Sequence, residues 1–151
     1  MVVPSLAAGV ALALSLPPFG FWVLAFVGAG LFWWRLGGLR PRTRLLAGWI
    51  VGVGYFGPGL AWARAFTLAG AVVLVAACAA YLAVGALFVP RGPVVARVLC
   101  FAAAMTLAEA ARMTWPFGGL PMGGVALGQA GGPLLGTGRL GGPLLLTALV
   151  F

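Results

Sequence analysis

The chain carries one acidic side chain, Glu109, with Arg112 three residues on, followed by the uncharged stretch Trp115-Pro116-Phe117-Gly118-Gly119-Leu120-Pro121-Met122. Two kinds of chemistry are open to this pair. As an i, i+3 ion pair it makes a helix end tolerable near a bilayer. Acting separately, the guanidinium suits a phosphate, while the carboxylate suits an amine or the surface of another domain. Glu109 lies in a run from Val94 to Arg112 that is otherwise interrupted only by Arg97 and Thr106. A carboxylate in such a run is costly without a partner or a task, so Glu109, Arg112 and the adjoining Trp115 are the first candidates for a binding or docking role.

Other chemistries find little support. With no His, a histidine general base and an imidazole metal site are excluded, and no metal or other cofactor is expected. Cys78 and Cys100 sit in apolar runs with no basic residue beside them in sequence, so each reads as a small hydrophobe and not as a nucleophile. No residue qualifies as catalytic. The formal net charge of +8 comes from nine Arg against Glu109. Those arginines fall mostly in short connections between apolar runs, a topological pattern, so nucleic acid is not an expected partner.

The elements that must hold these residues follow from composition. Hydrophobic residues form 64% of 151 positions and charged residues 7%, far from the roughly 25% charged of soluble domains. Lipid is the expected solvent, and there the backbone is satisfied only in helices or closed barrels. Ala71 to Ala80 and Val98 to Met105 are apolar throughout, without the alternation of barrel strands. The expected fold is therefore an all-α integral membrane bundle of about six transmembrane helices, at residues 2–16, 19–36, 45–64, 68–89, 94–112 and 134–151. Pro17-Pro18-Phe19-Gly20 breaks the first two apart, Gly37 to Arg44 is the clearest loop, and Gly57-Pro58-Gly59 should kink the third.

Between Trp115 and Gly132 lie seven Gly and two Pro among apolar side chains. That composition predicts a loop before the last helix that lies in the interface or re-enters the membrane, or else a tight packing segment between helices. With the N-terminus in the cytoplasm, Arg35, Arg40, Arg42, Arg44, Arg91 and Arg97 fall on the cytoplasmic side, against Arg64, Arg112 and Arg139 outside. The asymmetry favours that orientation. Trp33 and Trp34 suit an interfacial belt, and Arg64 and Arg139 suit snorkelling anchors.

These residues resemble the apolipoprotein N-acyltransferases of bacterial inner membranes. Leu16-Pro17-Pro18-Phe19-Gly20-Phe21-Trp22 is similar to that family's first hairpin, and Leu46-Ala47-Gly48-Trp49 with Gly52-Val53-Gly54-Tyr55-Phe56 and Trp62 to its third helix. The most specific match is Ala108-Glu109-Ala110-Ala111-Arg112 with the stretch from Trp115. The family has an acidic residue, Arg three on, then Gly-Phe-Pro-Trp and a Gln seven residues later; Gly119, Pro121 and Gln129 keep that spacing. Leu120 and Met122 stand where the family has Phe and Trp. Gln129 thereby joins Glu109, Arg112 and Trp115 as a candidate for lipid, substrate or domain contact.

The resemblance covers the membrane half only. It implies a nitrilase-like domain, in the remainder of the protein or on a separate chain, whose Glu, Lys and Cys triad takes an acyl group from a phospholipid donor as a thioester and passes it to the α-amine of a diacylglyceryl-cysteine lipoprotein. This chain has no Lys and cannot contain that triad, so it is expected to be inactive alone. Two other readings remain: a truncated, non-catalytic membrane scaffold, and a small channel or transporter. The last needs polar residues along a pathway, and the spans offer little beyond Thr106.

Overall fold

The computed structural model describes residues 2–116 and 118–151. Met1 and Phe117, the latter part of the Trp115 motif, lie outside the described residues. Six α-helices and three short 3-10 turns follow in the order α1 (Val2–Ser15), α2 (Val23–Leu36), α3 (Pro41–Gly59), a turn Ala61–Ala65, α4 (Leu68–Leu87), α5 (Val94–Thr114), turns Val125–Gln129 and Pro133–Thr137, and α6 (Gly138–Val150). The architecture is an all-α membrane bundle. Segments Leu68–Leu87, Val94–Thr114 and Pro133–Val150 are each long and apolar enough to cross a bilayer. Their outer faces carry Val72, Val73, Leu99, Leu107 and Leu140, all exposed, a surface that suits lipid and not water. The helices α1 and α2 are apolar but have 14 residues each, about 21 Å at ~1.5 Å per residue.

The helix bounds differ from the sequence expectation where Gly and Pro act. The third helix starts at Pro41 instead of 45, because Pro suits the first helical turn after the extended Arg40. It ends at Gly59 instead of running to 64; Gly57-Pro58-Gly59 terminates it, and Arg64 sits in the 3-10 turn that follows. Thr67 then caps α4, its Oγ1 accepting from the Gly70 N–H at 2.9 Å. The second helix begins at Val23 instead of 19, after the Pro17-Pro18 turn. The last span is not continuous. Gly141 and Gly142 leave the helical region, Gly142 at φ 63°, and Pro143 restarts the helix without an N–H to give.

Close approach of α3 to its neighbours rests on small residues. A Cβ at Gly52 would stand 2.5 Å from the Ala79 Cα, and one at Gly48 2.8 Å from the Ala83 Cα. With little hydrophobic drive between helices in lipid, such backbone proximity is what dispersion can use. On the other side of α3, Gly9 of α1 packs against the backbone of Val51 and Gly54. Phe32, Phe101 and Phe151 form an edge-to-face column in the core, with centroids 5.4 and 5.6 Å apart.

The two ends of the bundle differ in charge. At one end the α2–α3 and α4–α5 connections meet: Arg91 Nη2 donates to the Leu39 carbonyl at 2.7 Å, Arg44 donates to the Val89 carbonyl, and the Arg97 guanidinium lies 4.6 Å from the Trp33 ring centroid. At the other end the Pro17 turn, the Ala61–Ala65 turn and the segment 118–137 gather. There Gln129 Nε2 donates to the Trp22 carbonyl at 3.3 Å, and a Cβ at Gly123 would stand 3.3 Å from the Leu60 side chain.

Candidate functional site: the Glu109 clamp and the groove beside it

Glu109 and Arg112 share one face near the C-terminal end of α5, as the i, i+3 spacing requires. Arg112 Nε donates to Glu109 Oε2 at 3.0 Å and Nη2 to Oε1 at 2.6 Å, a bidentate ion pair. The other terminal nitrogen, Nη1, donates to the carbonyls of Leu120 at 2.5 Å and Met122 at 2.7 Å. In return the Leu120 N–H donates to the Arg112 carbonyl at 2.8 Å. The guanidinium is 2% exposed and lies 5.2 Å from the centroid of Phe56 on α3. Arg112 is thus engaged almost wholly inside the fold and fastens the segment after Trp115 to the helix end.

The glycines of that segment have a specific reason to be there. Gly124 lies against the Glu109 carboxylate, where a Cβ would collide with Oε1. Gly118 and Gly119 have φ of 88° and 79°, a region side chains avoid. Leu120 and Met122, the two departures from the family aromatics, meet Arg112 through their backbone carbonyls. Their side chains are not what the clamp reads.

Gln129 stands apart from this pair. It is fully buried and ties the Val125–Gln129 turn to the first hairpin, with Gly128 packed against Ser15. Trp115 is 70% exposed, and its carbonyl accepts from Tyr81 Oη at 2.5 Å. It stands at the mouth of a groove between α4 and α5 of about 890 Å³, lined by Ala77, Tyr81, Phe88, Ala103, Leu107 and Trp115 among others. The groove walls are almost entirely apolar, and alanines on the two helices leave its width. A second hollow of about 500 Å³ borders Glu109 itself, with Met113, Gly124, Leu135, Arg139 and Leu146.

Residues 8–151 match the family described as apolipoprotein N-acyltransferase N-terminal domain. The chain belongs to that family. It is 35% identical over 95% of its length to the apolipoprotein N-acyltransferase of Pseudomonas putida, and 34% identical over the same share to that of Pseudomonas syringae pv. tomato. The relative from Azotobacter vinelandii is 32% identical, again over 95% of the chain. This chain spans 31% of the length of each of these curated relatives.

Within the N-acyltransferase N-terminal domain, the fold adds residues that sequence order hides. Cys78, which has no basic neighbour along the chain, lies on α4, which packs along the α5 helix that carries Glu109 and Arg112. It is buried and apolar in setting, and Arg112 is already held by Glu109. Tyr55 is buried near the pair with no partner for its hydroxyl among the described residues. The alanine spacing of Ala77 and Ala80 on α4 and of Ala104, Ala108 and Ala111 on α5 was the available signal for the groove; small residues three or four apart mark one helix face.

Proposed function

We propose that this chain is the membrane module of an apolipoprotein N-acyltransferase, set in the bacterial cytoplasmic membrane with its N-terminus in the cytoplasm. The single observation that supports the reading most strongly is the apolar groove between α4 and α5 ending at Trp115, at the end of the bundle where Arg112 holds the uncharged loop. An opening of that kind suits an acyl chain entering sideways from the bilayer. The donor is a phospholipid and the acceptor a diacylglyceryl-cysteine lipoprotein. The chemistry belongs to a nitrilase-like partner domain: its thiolate takes the acyl group with release of a lysophospholipid, and the acceptor amine then displaces the thiol to form an amide. In this reading Glu109, Arg112 and Gln129 are positioning residues, and Trp115 borders the lipid path.

The test has two arms. The chain alone, in detergent with labelled phospholipid and a diacylglyceryl lipopeptide, yields no triacylated product. Put in place of the matching segment of the Pseudomonas putida relative, it restores triacylation. Hydroxylamine-sensitive label on Cys78 or Cys100 of the isolated chain would overturn the reading, because the chemistry would then lie within it.

A further inference from the structure

The end of the bundle remote from Glu109 holds Arg35, Arg40, Arg42, Arg44, Arg91 and Arg97, and the chain has no acidic side chain to answer them there. Glu109 lies twelve residues along α5 from Arg97, about 18 Å at ~1.5 Å per residue, and is already paired. Three of these arginines converge from different connections. Arg44, in the first turn of α3, is only 5% exposed. One of its terminal nitrogens donates to the Val89 carbonyl, while Nε and Nη2 are buried without an acceptor among the described residues. Arg91, two residues past that Val89 carbonyl in the α4–α5 connection, and Arg97, which reaches Gly37 at the end of α2 from the start of α5, come to the same end of the bundle. Each is held in place, Arg91 by the Leu39 carbonyl and Arg97 by the Trp33 ring.

Burying a guanidinium with unmade hydrogen bonds beside two like charges is unfavourable in two ways at once, and a group with several anionic oxygens relieves both. Geometry selects the anion further. The planar fork of Arg matches phosphate oxygens two at a time. Both α3 and α5 begin at this end without a side-chain cap, so free backbone N–H groups and the positive ends of two helix dipoles add to the field.

We propose that Arg44, Arg91 and Arg97 form a binding site for a phosphate group, supplied by a lipid headgroup at the membrane face opposite the Glu109 clamp. The site is independent of the acyltransferase reading. It takes a headgroup as an anchor, fixing the α2–α3 and α4–α5 connections to one another through a shared ligand.

The test titrates the full chain in a non-ionic detergent with dihexanoyl phosphatidylglycerol, dihexanoyl phosphatidylcholine or inorganic phosphate, following thermal unfolding and the bound lipid by native mass spectrometry. One saturable event is expected with the phospholipids. Arg44→Gln should weaken it roughly tenfold or more, the effect of losing a charge-assisted contact. Arg42→Gln, an exposed arginine at the same end, should change it less than about threefold, as a screened surface charge does. If Arg44→Gln does not fold, Arg97→Gln should show the same loss. Saturation by inorganic phosphate at the lipid's concentration would support the site with free phosphate as its source, and lipid-only binding would support a headgroup. Equal losses from Arg42→Gln and Arg44→Gln, or no saturable binding by any probe, would overturn the proposal.

Discussion

Gly124 lies directly against the Glu109 carboxylate, so close that a Cβ would occupy the space of Oε1. The same Cβ would stand 3.3 Å from Arg112 Nη2. Gly124→Ala must therefore displace the ion pair or lift the loop from it. A loss of about 1–3 kcal/mol is expected, the range for disturbing a buried hydrogen-bonded group. Thermal unfolding in detergent measures it. Gly136→Ala, where nothing lies within 4 Å of the added atom, serves as the control and should be near neutral.

A double-mutant cycle separates the ion pair from the loop clamp. Arg112→Ala leaves the Glu109 carboxylate poorly compensated and also frees the Leu120 and Met122 carbonyls. Adding Glu109→Gln removes the stranded charge but not the lost carbonyl contacts. The double variant should recover roughly 1–3 kcal/mol relative to Arg112→Ala, without reaching the parent chain. Strictly additive losses would show that the two side chains do not interact.

The bundle's overall character and the place of the Glu109–Arg112 ion pair were legible in the sequence, because unbroken apolar runs admit helices alone and an i, i+3 spacing puts Glu109 and Arg112 on one face. The order of the chain could not show that Arg112 reaches forward to Leu120 and Met122. That contact depends on the path taken by a glycine-rich segment whose backbone is free to choose among several. The interruption at Gly141-Gly142 was written in the residues but masked by the strong hydropathy of the flanking leucines. Tyr81 meeting the Trp115 carbonyl is a product of α4 packing on α5, which local pattern does not encode.

Orientation can be read by labelling. With Cys78 and Cys100 replaced by Ala, Thr43→Cys lies at the arginine-rich end and Thr114→Cys at the clamp end, where Thr114 is exposed. A membrane-impermeant thiol reagent added outside spheroplasts should mark position 114 and leave position 43 unmarked until the membrane is opened. Marking of position 43 from outside would reverse the proposed topology.

The most direct measurement concerns the groove between α4 and α5. In the Pseudomonas putida relative carrying this chain in place of its matching segment, Ala103→Trp and Ala77→Trp fill the groove from its two walls, both at exposed positions that leave the core intact. The rate of triacylation of a diacylglyceryl lipopeptide is followed at equal amounts of membrane-inserted protein. Activity is expected in the unaltered exchange, with a loss of roughly tenfold or more in each filled variant, since misplacing a reacting chain by about an ångström costs on the order of 100-fold. Full activity in both filled variants would contradict lipid entry through this groove, and an inserted but inactive exchange protein would contradict the membrane-module reading itself.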